Sequence, residues 1–177
     1  MLAAVVVLPL LLAVVAAIIA LVAGRGTDGG AVPPAAGADS PLVLPAVRAP
    51  AAGSPECAAL VAALPPRLQS GPEQLDRRPL ATPNPPGAAA WGVAHTVVLR
   101  CGLDRPVELT PTAALLDVSG VQWLRLQGQD ATSTWIAVDR PVYVALTLQD
   151  NSGTGPLQDV SSAIGATMTA RPIDPVR

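Results

Sequence analysis

The hydrophobic pattern divides the chain before any motif is read. From Leu2 to Ala23 every residue but Pro9 is apolar, and none is charged. At ~1.5 Å of rise per residue, a helix of that length spans a hydrocarbon core of ~30 Å. A cleaved secretory signal is the competing reading, with Val22-Ala23-Gly24 as a small-residue cleavage site. The run is longer than a usual signal core and no Lys or Arg precedes it, so residues 1–23 are expected to be an uncleaved transmembrane anchor. Residues 24–54 then turn to Gly, Ala and Pro, a composition that buries too little apolar surface to fold alone. They read as a tether, within which Leu42-Val43-Leu44 is able to dock as a short first strand.

Helical spacing begins at Ser54. Ser54-Pro55-Glu56 offers an N-cap, a proline at the first helical position and an acid in the first turn. Cys57, Leu60, Val61 and Leu64 follow at i, i+3, i+4 and i+7, one apolar stripe, and Pro65-Pro66 stops the helix. The proline-rich stretch 69–90 reads as a loop. Between Trp91 and Cys101 the period changes to two, with Trp91, Val93, His95, Val97, Leu99 and Cys101 sharing one face of a strand. Val107-Glu108-Leu109 suggests a short strand and residues 112–117 a helical turn. Strands are expected at about 121–127, 132–138 and 142–148, joined by Gly128-Gln129-Asp130 and Asp139-Arg140-Pro141. Connections this short force antiparallel neighbours. Pro156 then opens a second helix with Leu157, Val160 and Ile164 on one stripe and Met168 at its end. The expected fold is α+β: an antiparallel sheet of about four strands, two helices packed on one face, and one N-terminal transmembrane helix ahead of it. The folded domain covers 55–170, and 171–177 form a tail.

Composition changes this picture little. All 11 basic residues are Arg, Phe is absent, and the net charge is −2. GC-rich coding explains that bias better than function does. The arginines are scattered apart from Arg77-Arg78 and make no basic stripe interleaved with aromatics, which argues against nucleic acid as a partner.

Cys57 lies on the first helical stripe and Cys101 at the end of the first strong strand. In a small exported domain two such cysteines form one disulfide pinning helix to sheet; in a cytosolic domain they would be buried thiols. The blocks Cys57-Ala-Ala-Leu60, Ala89-Ala90-Trp91-Gly92, Val98-Leu99-Arg100-Cys101-Gly102 and Gly120-Val121-Gln122-Trp123-Leu124 resemble an uncharacterised actinobacterial domain-of-unknown-function family of membrane-anchored envelope proteins. The resemblance covers roughly residues 42–168. It implies an exported, anchored domain with paired cysteines, a hint of an envelope role from neighbouring cell-wall synthesis genes, and no reaction. His95 has no counterpart in the family's pattern.

Candidate chemistry is sparse. His95 is the only histidine, and in strand spacing it reads as structural before it reads as a general base. One His and two cysteines committed to a disulfide leave no metal-ligand set, so neither metal nor cofactor is expected. The acids sit mostly in turns, which suits turn and cap roles. Trp91, Trp123 and Trp135 are core candidates first and binding aromatics second. The surface proposed to meet a partner comprises Trp91, His95, Arg100, Trp123 and Arg140. The reading that results is a non-enzymatic domain tethered to the plasma membrane through residues 2–23, on the extracytoplasmic side, meeting an envelope protein or a cell-wall component. The alternatives are an envelope hydrolase using His95 with Asp104 or Asp139, and a small-ligand or lipid binder.

Overall fold

The structure, a computed structural model, describes residues 40–175. Helix α1 spans Pro55–Ala63, and its start is as local chemistry dictates: the Ser54 side chain accepts from the Cys57 backbone N–H at 3.2 Å. Strands β1 (Arg67–Ser70), β2 (Glu73–Arg78), β3 (Ala88–Trp91), β4 (Val97–Leu103), β5 (Leu115–Val118), β6 (Val121–Gln127), β7 (Thr132–Ala137) and β8 (Tyr143–Gln149) follow, and helix α2 (Gly155–Thr167) closes the order. Among the described residues the eight strands form one antiparallel sheet ordered β1-β2-β3-β4-β8-β7-β6-β5. Helix α2 packs on β1 at one end of that order and on β5 and β6 at the other, so the sheet curls around it. Helix α1 packs on α2.

The four-stranded expectation is therefore corrected to eight. Of the strands missed, β1 and β2 are polar. In the β1–β2 hairpin only Leu68 and Leu75 are buried apolar residues, and they are cross-strand partners. Beside them Arg67 pairs with Asp76. One apolar residue per strand leaves no alternation to read. The expected strand from Trp91 to Cys101 is two strands. Gly92 takes a φ of +74° and turns the chain, and Trp91 comes to lie opposite Val97. Cross-strand partners share a face, so the period-two pattern survived a reversal of the chain direction. The expected helical turn at 112–117 gives way to β5, which pairs with β6 through Ser119 and Gly120, both at positive φ as a primed hairpin turn requires. Residues 107–109 form no strand; Leu109 is buried from a turn. The transmembrane part of the expectation finds no support either. No helix among the described residues is long and apolar enough to cross a membrane, and residues 2–23 lie outside the described residues.

The sheet has two covered faces. The helix side holds the main core: Cys57, Leu60 and Leu64 of the α1 region, Leu157, Val160 and Ile164 of α2, and Trp91, Val97, Leu99, Trp123, Val144 and Leu146 of the strands. Cys57 and Cys101 form the expected disulfide there, with Cα atoms 5.6 Å apart, and join α1 to β4. The opposite side holds a smaller cluster of Leu109, Leu124, Ile136, Val138 and Ala145, closed by Leu103, Tyr143 and Ile173. Chain segments rather than helices cover that side. Residues 40–53 run along it as a strap: Leu42 pairs its N–H and C=O with Pro79 and Ala81, and Ala51 N–H donates to the Gly102 carbonyl. Of the expected strand Leu42–Leu44, this single bridge forms.

Candidate functional site

The three tryptophans show how the fold allots function. Trp91 and Trp123 are fully buried. Trp91 Nε1 donates to the Pro65 carbonyl at 3.1 Å, and Trp123 Nε1 to Ser161 Oγ at 3.0 Å. A buried indole N–H needs such a partner, and here each has one. These two side chains are core, so the surface proposed from the sequence loses both. Arg140 is lost to it as well. It is 8% exposed, paired to Asp139 at 2.9 Å, and donates to the Gly120 carbonyl at 2.8 Å, tying the β7–β8 turn to the β5–β6 turn.

His95 and Arg100 remain near solvent but apart. His95 sits in the β3–β4 turn, where its Nδ1 donates to Gln149 Oε1 at 2.6 Å. It lines a shallow hollow of about 230 Å³ with Glu73–Asp76 and Arg78. Arg100, on β4, donates to the Pro45 carbonyl at 2.9 Å, and burial pushes its guanidinium pKa down. Arg78 donates to the Ser40 carbonyl at 2.9 Å. Both arginines thus hold the strap by its backbone. The two carboxylates considered beside His95 are committed elsewhere: Asp104 to Arg48 at 2.6 Å, and Asp139 to Arg140. Neither orients His95.

The side chains that do converge lie around Trp135. It is partly buried on β7, at the end of the helix-side face where β8 runs into the turn before α2. The Arg125 guanidinium stacks over its ring at 5.4 Å from the centroid. Arg125 Nε donates to Ser133 Oγ at 3.0 Å, and its Nη2 to Gln127 Oε1 at 3.2 Å and Asp150 Oδ1 at 3.0 Å. Gln127 Nε2 donates to Asp150 Oδ2 at 2.9 Å, and Ser133 Oγ donates to Asp150 Oδ1. The Ser133 and Gln127 bonds hold the Asp150 carboxyl below the usual carboxylate range, with Arg125 adding to them against the cost of desolvation. Arg125, Trp135 and Asp150 border a hollow of about 190 Å³ with Leu148, Gly153, Thr154 and Leu157. Sequence reasoning set Trp135 beside the other two tryptophans and gave it no separate role. The one available signal was its flanks: polar Ser133 and Thr134 before it, and Asp150 to Thr154 at the following turn.

Among the described residues no three His, Cys, Asp or Glu side chains gather as metal ligands. The family model for "Protein of unknown function (DUF3515)" matches residues 6–173. The chain belongs to the DUF3515 family. That places the blocks around Cys57, Trp91, Cys101 and Trp123 in an uncharacterised family, as their resemblance implied. No curated protein and no solved structure matches the chain.

Proposed function

We propose that this DUF3515 protein is a non-enzymatic binding or accessory domain of the cell envelope, tethered to the plasma membrane through residues 2–23 and displayed on the extracytoplasmic side. One observation carries the reading: the Cys57–Cys101 disulfide, enclosed in the main core. Paired core cysteines belong to oxidising compartments, because cytosolic reductants keep thiols reduced. The hydrolase alternative loses its motivating pair, since His95 is oriented by an amide and both candidate carboxylates are bound to arginines. The partner is an envelope protein or a wall component. Two measurements on intact cells test the reading. Cys57 and Cys101 should resist alkylation until reductant and denaturant are added, and labelling without reductant sinks the placement. Cross-linking in the intact envelope should capture a partner, and its failure, with His95→Ala abolishing the complementing phenotype, returns the argument to the hydrolase.

A further inference from the structure

We propose that the hollow beside Trp135 is a saccharide subsite that seats one pyranose ring through a vicinal pair of hydroxyls. The inference rests on the binding-domain reading above and names the chemistry of its ligand.

The hollow offers unspent hydrogen-bonding groups at an apolar wall. Trp91 and Trp123 each have an indole partner, whereas Trp135 Nε1 finds none among the described residues and is not a buried orphan. Arg125 lies over a face of the ring, and Trp135 lines the hollow. Arg125 uses Nε and Nη2 within the network and leaves Nη1 without a bond among the described residues. Thr154 lines the same hollow, and its side chain makes no capping bond to α2. On the acceptor side, Asp150 Oδ1 takes two bonds and Oδ2 takes one, from Gln127. A carboxylate oxygen has two acceptor positions, so Oδ2 keeps one open.

Donors and a charged acceptor thus stand side by side. A vicinal diol answers that arrangement, because each hydroxyl both gives and takes a hydrogen bond. One hydroxyl donates to Asp150 Oδ2 while its neighbour accepts from Arg125 Nη1 or Trp135 Nε1. Leu148, Leu157 and Trp135 form the apolar side of the hollow, against which the ring's C–H groups would rest. An anion suits the site less, since Arg125 and Asp150 already offset each other and Asp150 would repel it. Volume sets the ligand's size: about 190 Å³ is below the ~300–1,000 Å³ of pockets for drug-sized ligands, so one ring fits rather than an oligomer. The groups are held ready by Ser133 and by Gln127, which also donates to the Thr132 carbonyl at 3.1 Å.

The test uses the full chain in detergent micelles, titrated with N-acetylglucosamine and glucose, with inorganic phosphate as the ionic control. In nitrogen–proton spectra a sugar should shift one indole N–H resonance saturably, and Trp135→Phe, which keeps a ring but removes the N–H, should delete that resonance. Asp150→Asn should weaken the sugar's affinity about tenfold, since a hydrogen bond to a charged acceptor is replaced by one to a neutral amide. Three results overturn the proposal: no saturable shift with any sugar, a shift confined to the Trp91 or Trp123 indole, or a response to phosphate alone. Should Asp150→Asn fail to fold, the wild-type indole shift decides. If the envelope cross-link succeeds while the indole stays silent, the saccharide site falls and the binding-domain reading stands.

Discussion

The two faces of the sheet bury neighbouring strands but are closed by different interactions. On the helix side, large apolar side chains meet across α1, α2 and the strands, both buried indoles are satisfied, and a disulfide spans helix and strand. On the other side the 40–53 strap is fastened mainly by its backbone, through Leu42, Ala51 and the carbonyls of Ser40 and Pro45. Its valines face outward: Val43 is 76% and Val47 49% exposed. Apolar burial scales with area, at roughly 25 cal/mol per Å², whereas a net backbone hydrogen bond contributes about 1 kcal/mol. The helix side should therefore hold the fold, and the strap side should open locally without unfolding it.

The largest expected effect tests the first half of that comparison. The Cys57–Cys101 pair closes a loop with a sequence separation of 44. The chain-entropy model assigns such a loop about 4 kcal/mol. Cys57→Ser should lower the denaturant midpoint accordingly, and a midpoint within error of wild type would mean that α1 is not held through this bond. Trp123→Phe comes next. It deletes the indole N–H and strands the buried Ser161 hydroxyl, so a loss of about 1–3 kcal/mol is expected in the same assay. Recovery in Trp123→Phe with Ser161→Ala would confirm the cause.

Gly102→Ala sharpens the second half. Gly102 has a φ of +86°, and a Cβ there would collide with the backbone of Ala51 and Ala52. The left-handed conformation alone costs a non-glycine residue about 1–2 kcal/mol. The strap should lift at Ala51, visible as faster amide exchange from 51 to 54 while α1 and β8 stay protected. Equal acceleration in both regions would erase the distinction between the faces. The smallest effect is one of pH. Asp150 has a folded pKa depressed by Ser133, Gln127 and Arg125, so the stability it contributes is present above the ordinary Asp value of ~3.9 and is lost as pH falls through its lower folded value. The Asp150→Asn variant should match wild type at the acid end and fall slightly below it near neutrality. The gap should be small because the Asp150 side chain is 30% exposed and solvent screens the pair.

The legibility of each element follows from how much of its environment is local. Helix α1 announced itself through Ser54-Pro55-Glu56 because capping is a matter of adjacent residues. The second helix was legible from Pro156 and its stripe, and β4, β6, β7 and β8 from strong apolar content. The β1 strand was not, because its environment is supplied from a distance: the Gln69 N–H donates to Asp159 of α2 at 2.9 Å, and Gly155 approaches the Gln69 carbonyl too closely for any side chain. The candidate site was the least legible part. Trp91 and Trp123 drew attention through their blocks, yet these are the two that the core consumes.

Residue order alone determined the ends of the two helices and the faces of the alternating strands, because caps and periodicity need no knowledge of the far side of the molecule. Tertiary structure decided the rest: that Gly92 reverses the chain without breaking the facial pattern, that polar segments become strands once α2 spans both ends of the sheet, and that a tether from Ser40 onward is bound as a strap. It also decided which indole reaches water. The three tryptophans differ in exposure because exposure is a property of what packs against a residue, and that is fixed only when distant strands are brought into register.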